Sequence, residues 1–297
     1  MTTACSSPNE WRAAGATAHI RGHQIFFLDS GGASPPLLVI HGFPTAGWDF
    51  HAVHPHLAAN CRVVIPDMLG FGFSDKPRQH RYSIAEQADI LEALMDELGL
   101  AAFRILAHDY GDTVAQELLA RDIERFEPSR RIASVCFLNG GLFPETHRAR
   151  TVQKLLASPI GPLVSRLTTK RQFARGISAV FGPRTQPSPR EIDGFWQLIT
   201  HGDGRHVFSS LIGYMAERRA NRDRWVKALT DAPCPVQLIN GSDDPVSGAH
   251  MVARYRELVQ RRDDIVELPG IGHYPQVEAP EAVIEAYLAF LAVGGRG

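Results

Sequence analysis

Six short runs in this chain are apolar along nearly their whole length and rich in β-branched residues. They are PLLVIHGF (36–43), RVVIPDM (62–68), FRILAHD (103–109), IASVCFLNG (132–140), PVQLINGSD (235–243) and DIVELPG (264–270). A strand with one wet face alternates apolar and polar residues, whereas a strand covered on both faces reads as a continuous apolar run. Helical patterns separate the runs. SIAEQADILEALMDELGL (83–100) opens with Ser83 and Glu86 at capping-box spacing. DTVAQELLARDI (112–123), MVARYRELV (251–259) and PEAVIEAYLAFL (280–291) repeat apolar residues at helical intervals. This alternation predicts a doubly wound α/β fold: a mostly parallel sheet, helices on both faces, and a site at the carboxyl ends of the strands.

The alternation breaks between Gly141 and Trp225, in a stretch rich in Arg, Pro and Phe. TVQKLLA, PLVSRL, EIDGFWQLI and HVFSSLIGYMAERRA read there as helices joined by loops. The expected organisation is a core of residues 1–140 and 226–297 with an inserted helical cap (lid), 141–225, over the strand ends. A helical decoration with no role at the site is the plainer alternative. Phe143, Phe181, Phe195, Trp196 and Phe208 either line an apolar pocket or form the cap's own core.

Composition narrows the functional classes. The formal net charge of −1 favours neither nucleic acid nor an anionic membrane. Cys5, Cys61, Cys136 and Cys234 are far apart, and three fall in or at the start of expected strands. They read as reduced, mostly buried thiols of a cytoplasmic protein. No apolar segment approaches the ~20 residues that cross a bilayer. VIEAYLAFLAV contains Glu285 and reads as a core helix. MTTACSSPNEW lacks a basic region followed by an apolar one, and reads as a frayed tail rather than a secretory signal. No feature of the sequence selects an oligomeric state.

The chemistry concentrates around LAHDYGDTVAQ (106–116), where a strand passes into a helix through small residues, Ala107 and Gly111, that flank Asp109. That is the frame of a nucleophile elbow, with aspartate at the apex. A helix N-terminus favours an ionised carboxylate there; an ordinary N-cap is the alternative. His273, in LPGIGHYPQVEAP, follows the last expected strand and can reach back to the elbow. NGSDDPV closes the preceding strand and offers Asp244, with Asp243 in reserve, to orient His273. The order 109, 244, 273 is that of the α/β-hydrolases. HGFP (41–44) follows a strand directly, so the backbone N–H groups of Phe43 and Tyr110 are candidates for an oxyanion hole. Among the other histidines, His108 is expected to support the turn by hydrogen bonding, His41 has a weaker claim to a role, and His51, His54 and His56 face a helix surface or the core. No HExxH spacing or matching carboxylate set occurs, so no metal and no cofactor is expected.

An aspartate suits attack on an sp³ carbon. A serine alkoxide would form an ether that water does not cleave, whereas a carboxylate forms an ester whose carbonyl a water, activated by His273, can attack. Asp109 needs no base to activate it, being ionised near neutral pH.

The motifs HGFP, HDYG, DDP and GHYPQVE, with the inserted cap, resemble the epoxide hydrolase and haloalkane dehalogenase branch of the α/β-hydrolases. HDYGDTVAQELL, NGGLFPETHR and VFGP look like the mesoderm-specific transcript proteins, a similarity running over nearly all of the chain from about residue 20. The resemblance implies an α/β-hydrolase fold, a triad of Asp109, Asp244 and His273, and a small apolar epoxide or haloalkane as substrate. Halide release in that branch uses N–H donors at the positions of Phe43 and Tyr110, whose side chains offer none. Tyr214, in LIGYMAERR, resembles the ring-opening tyrosine of an epoxide hydrolase cap, or is simply a tyrosine at the domain junction. A second tyrosine donor is missing, so His206 or Tyr110 substitutes for it, or one donor suffices. Asp112 stands where the branch has a small residue. The reading that follows is an epoxide hydrolase, with hydrolytic dehalogenation second and a catalytically silent ligand receptor third.

Overall fold

A single eight-stranded sheet organises the chain in the computed structural model, which describes residues 5–32, 35–261 and 264–294. The strands are β1 (Ala16–Ile20), β2 (His23–Asp29), β3 (Leu37–Ile40), β4 (Val63–Pro66), β5 (Phe103–His108), β6 (Ile132–Leu138), β7 (Val236–Gly241) and β8 (Asp264–Leu268). Their spatial order is β1-β2-β4-β3-β5-β6-β7-β8. From β4 to β8 every pairing is parallel, while β1–β2 and β2–β4 are antiparallel. All residues of β3, β4 and β7 are buried, as the continuous apolar runs require, whereas β8 lies at the sheet edge and is only half-covered.

The six expected strands are present, and two more precede them. The β1–β2 hairpin turns on Arg21 and Gly22, both at positive φ (49° and 88°), with Ile20 paired to His23. That is the two-residue turn whose twist suits a hairpin, but it is built on Arg-Gly rather than the usual Asn-Gly or Asp-Gly signal. The frayed-tail reading of residues 1–11 is corrected from Ser7 onward. Ser7 caps a helix, Pro8–Ala14, by accepting from the Glu10 N–H, and Trp11 is fully buried. Burial of one indole explains why so short a helix stays put; Met1–Ala4 lie outside the described residues.

Ser83 caps the helix Ile84–Glu97 as expected, but only half of the capping box forms. The Glu86 carboxylate turns to His80 Nε2 (2.8 Å), and the Ile84 N–H is taken by Glu217. The helix Tyr110–Glu124 is buried from Tyr110 through Ala120, because the sheet, Ile84–Glu97 and Arg222–Thr230 all pack on it. Between β6 and β7 the chain forms short helices, among them Thr151–Leu156, Gly161–Leu167, Lys170–Ser178, Pro189–Thr200 and Tyr214–Ala220. HVFSSLIGYMAERRA, expected as one helix, is broken into pieces. Arg222–Thr230 runs across the expected boundary at residue 226, and Trp225 Nε1 donates to Glu117 of the elbow helix (2.8 Å).

Candidate active site

The strand β5 ends at His108, and Tyr110 begins the next helix, so Asp109 alone makes the bend. Its backbone sits at φ 48°, ψ −102°, a strained conformation for a residue with a side chain. The close approach is set by glycines. A Cβ at Gly111 would lie 2.4 Å from the Ile40 carbonyl oxygen, and one at Gly42 would lie 2.6 Å from His108 Nδ1. Asp109 occupies the N-cap position, yet its side chain makes no cap hydrogen bond. Oδ2 instead accepts the Phe43 N–H at 3.2 Å. Burial opposes charge on this carboxylate, but the His273 and Arg218 charges outweigh it and hold its pKa below the usual value.

His273 stands on the far side of the bend. Its Nδ1 is 2.7 Å from Asp244 Oδ2, and its Nε2 is 4.0 Å from Asp109 Oδ2. A gap of that size admits a bridging water within hydrogen-bond reach of both groups. Asp244 also accepts from the Val246 N–H (2.7 Å), the Ser247 hydroxyl (2.8 Å) and N–H (3.1 Å), and Asn139 Nδ2 (3.1 Å). Burial would raise its pKa; the imidazole and these donors pull it down to about 2. His273 shows the converse. Burial disfavours its proton, but Asp244, then Asp109 and Glu278, push its pKa up to about 9. The loop is pinned by Glu278, whose carboxylate accepts from the N–H groups of Gly272, Tyr274 and Gly182. Of the two aspartates in DDP, Asp244 faces the imidazole, while Asp243 is exposed and its Oδ1 accepts the Gly270 N–H (3.3 Å).

His108 supports the turn as expected: its Nε2–H donates to the His273 carbonyl (2.7 Å), and burial pushes its pKa down to about 3, which keeps it neutral. His41 is structural, with Nδ1 on the Gly42 carbonyl and Nε2 accepting the Met68 N–H. His51 stacks on Trp48, His54 lies edge-on to Trp11, and His56 is exposed.

The remaining wall comes from the segment between β6 and β7. The Tyr214 ring packs on Tyr110 and Phe43 (centroids 5.0 and 6.2 Å), and the Arg218 guanidinium lies 4.5 Å from its centroid. Arg218 Nε donates to Thr113 Oγ1 (2.7 Å) and Nη2 to the Asp109 carbonyl (2.9 Å). Nη2 is also 3.7 Å from Asp109 Oδ1. Arg218 Nη1 and both ring nitrogens of His147 are buried without a hydrogen-bond partner, and the Tyr214 hydroxyl has Gln153 beside it. Gly141 makes room for this group, since a Cβ there would lie 2.3 Å from Arg218 Nη1 and 3.2 Å from His147 Nδ1. Burial pushes the His147 pKa down to about 4, so its ring is neutral. Asp112 is buried beside Asp109, and burial, together with the neighbouring Asp109 charge, raises its pKa well above the usual carboxylate value.

Arg218 and His147 were not singled out from the sequence. Arg218 sits in an ERRA run that reads as a solvated helix face, and His147 in a loop without periodicity. The suggested second donors are both elsewhere. His206 Nδ1 contacts the Asp203 carbonyl and Nε2 the Lys76 carbonyl, which occupies the whole ring. Tyr110 is buried with Gln87 beside its hydroxyl, although its backbone N–H heads the helix next to Asp109. Phe181 and Phe195 pack on Tyr274, Phe208 packs on Phe43, and Phe143 faces Tyr255 in the core. Trp196 lies against Phe173. Among the described residues one group has ligand atoms close enough to hold a metal ion: His23 on β2, His80 in the loop before the Ile84–Glu97 helix and Glu86 on that helix, away from Asp109. None of the four cysteines forms a disulfide, and three of them are buried.

Residues 35–280 match a family model described as the alpha/beta hydrolase fold. The chain belongs to the α/β-hydrolase fold family. This α/β-hydrolase is 43% identical over 292 residues to the mesoderm-specific transcript homolog protein of Bos taurus, spanning 95% of this chain and 87% of the relative. It is 40% identical to a protein named LipZ from Mycobacterium tuberculosis, across 96% of this chain and 98% of the relative. Among solved structures it resembles the haloalkane dehalogenase DbeA from Bradyrhizobium elkani USDA94 (TM-score 0.77, 22% identity, 95% of this chain and 98% of that one). No described helix is long and apolar enough to cross a membrane.

Proposed function

We propose that this hydrolase opens small apolar epoxides to vicinal diols through a covalent ester on Asp109, with residues 141–225 acting as the cap that closes the site. The observation that carries the reading is the pair of distances around His273: 2.7 Å to Asp244, and a water-sized 4.0 Å to a carboxylate that the Phe43 N–H holds in place.

In the resting site His273 carries a proton, because two carboxylates face it. Asp109 attacks a ring carbon, forming a C–O ester bond; the ring C–O bond breaks and its electron pair stays on the oxygen. Tyr214 supplies that oxygen with a proton. Arg218, whose charge until then is offset by Asp109, faces the oxygen as the ring opens and is then left beside a neutral ester and the Tyr214 phenolate. Its unpaired Nη1 supplies the charged donor that a second tyrosine would otherwise provide.

Esterification also removes one of the charges that kept His273 protonated. The imidazole gives up its proton, which restores Tyr214, and becomes a base. It then takes a proton from water as the oxygen attacks the Asp109 carbonyl carbon. The Phe43 and Tyr110 N–H groups stabilise the tetrahedral oxyanion, at roughly 10²–10³ in rate per donor. Collapse expels the second diol oxygen, which takes the remaining water proton from the new Asp109 carboxyl group, and His273 is again an imidazolium.

The test is His273→Ala incubated with an aliphatic epoxide and examined by mass spectrometry, beside parallel assays for diol and halide release. An adduct on Asp109 and diol from the wild type support the reading. Halide release without diol would move the assignment to dehalogenation, and an Asp109→Ala variant as fast as wild type would overturn the mechanism.

A further inference from the structure

The formal charge of −1 conceals a strong segregation. Between Thr146 and Arg190 the sequence has nine lysines and arginines and no aspartate or glutamate, so the rest of the chain carries −10 to give the total of −1. Lys154, Arg166, Lys170, Arg171 and Arg175 lie on the short helices that follow β6, and Arg148 in the loop before them. Arg148, Lys154, Arg166, Arg171 and Arg175 are exposed and form no ion pair with any described residue. Lys170 is the exception, 2.5 Å from Asp193.

The same helices expose large apolar side chains. Val152, Leu155, Ile160, Leu163 and Leu167 range from 41% exposed at Leu155 to 63% at Leu167. They account for all but one of the large exposed hydrophobics among the described residues; the other is Phe126. Leu163 and Leu167 are four apart on Gly161–Leu167, so they share a face, and that helix packs against Thr151–Leu156. The inner side of the pair is ordinary core, with Leu156 buried in the cluster that contains Phe43 and Tyr214.

We propose that this face, Val152 to Arg175, docks the protein on an anionic lipid surface. Apolar side chains that enter the interface, rimmed by unpaired basic residues, are the features of peripheral membrane attachment. Charge decides between occupants. A second copy of this chain would bring an equally basic patch against it, which repels, whereas phosphodiester headgroups complement the unpaired Lys154, Arg166, Arg171 and Arg175. The inference is independent of the reaction assigned above, since none of these side chains belongs to the site around Asp109.

The full-length wild type is to be floated with vesicles of equal parts phosphatidylcholine and phosphatidylglycerol, and with phosphatidylcholine alone. Expected is flotation with the anionic vesicles at low salt, release by high salt, and none with phosphatidylcholine. Arg166→Glu with Arg171→Glu should weaken binding at least about tenfold, and Leu163→Ser with Leu167→Ser should abolish flotation, with thermal unfolding of both double variants unchanged because all four positions are exposed. Absence of flotation with anionic vesicles overturns the proposal. So does flotation that neither double variant alters, and so does a dimer in light scattering that disappears with the leucine substitutions, which would assign the face to a second copy.

Discussion

The two walls beside Asp109 are both largely buried and differ in how far their polar atoms are paired, although His108 Nδ1 on the His273 side also lacks a partner. On the His273 side, Asp244 accepts from the imidazole, Asn139, Val246 and Ser247, and His108 ties β5 to the His273 carbonyl. On the Tyr214 side, Arg218 Nη1 and both nitrogens of His147 have no partner. A buried polar atom without a partner costs about 1–3 kcal/mol. The paired wall is finished before substrate arrives and contributes to stability. The unpaired wall is destabilising until a ligand supplies acceptors, and its donors therefore report where the reaction puts negative charge.

Substitutions on the two walls should separate these roles. The largest effect is expected at the bend they share: Asp109→Ala should lower kcat by at least about 10⁴, with no adduct in any quench. His273→Gln should stop after one equivalent, visible as a stoichiometric burst of bound substrate and a steady-state rate reduced by about 10³ or more. Arg218→Met should slow formation of the Asp109 ester by about 10²–10³ in single-turnover quench flow while leaving hydrolysis of the formed ester within a few-fold. Loss of the hydrolysis step alone would place Arg218 on the other side of the comparison.

Stability should divide in the other direction. Ser247→Ala removes a donor to Asp244 and is expected to cost about 1–2 kcal/mol in urea unfolding. Tyr214→Phe removes a buried hydroxyl that has Gln153 beside it and should change stability by less than about 1 kcal/mol, while turnover falls roughly 10–100-fold. The pH dependence follows the paired wall. The His273 pKa is raised to about 9, so its contribution is complete below the unfolded value near 6.5 and is lost as pH climbs toward 9. The Asp244 pKa is lowered to about 2, so its contribution is complete above the unfolded value near 3.9 and fades as pH falls toward 2. In His273→Gln the decline on the alkaline side should disappear from the unfolding curves. The smallest effect belongs to the exposed Asp243: Asp243→Asn should keep turnover within about threefold of wild type.

What could be read from the sequence followed the same division. The paired wall is built from strand ends and the loops after them, so chain order and alternation place Asp109, Asp244 and His273 without knowledge of the segment between β6 and β7. The antiparallel hairpin and the Pro8–Ala14 helix were not read, because Arg-Gly is a weak turn signal and a seven-residue helix anchored by Trp11 has too few turns to show a period. Arg218 escaped for a different reason. Its role depends on a helix from a distant segment crossing Thr113 and the Asp109 carbonyl, and neither periodicity nor spacing records which face of Tyr214–Ala220 turns inward. Net charge misled in its own way: averaging over 297 residues hid the basic stretch that follows β6.

The central claim is that the substrate carbon is held on Asp109 and freed by attack at the carboxyl carbon. A single turnover in ¹⁸O-labelled water, with enzyme in excess over an aliphatic epoxide, tests it directly. The account predicts that the label enters the Asp109 carboxylate, located by mass spectrometry of the peptide that contains it, and that the first diol released carries none. Label appearing in that first diol, with an unlabelled Asp109, would contradict it.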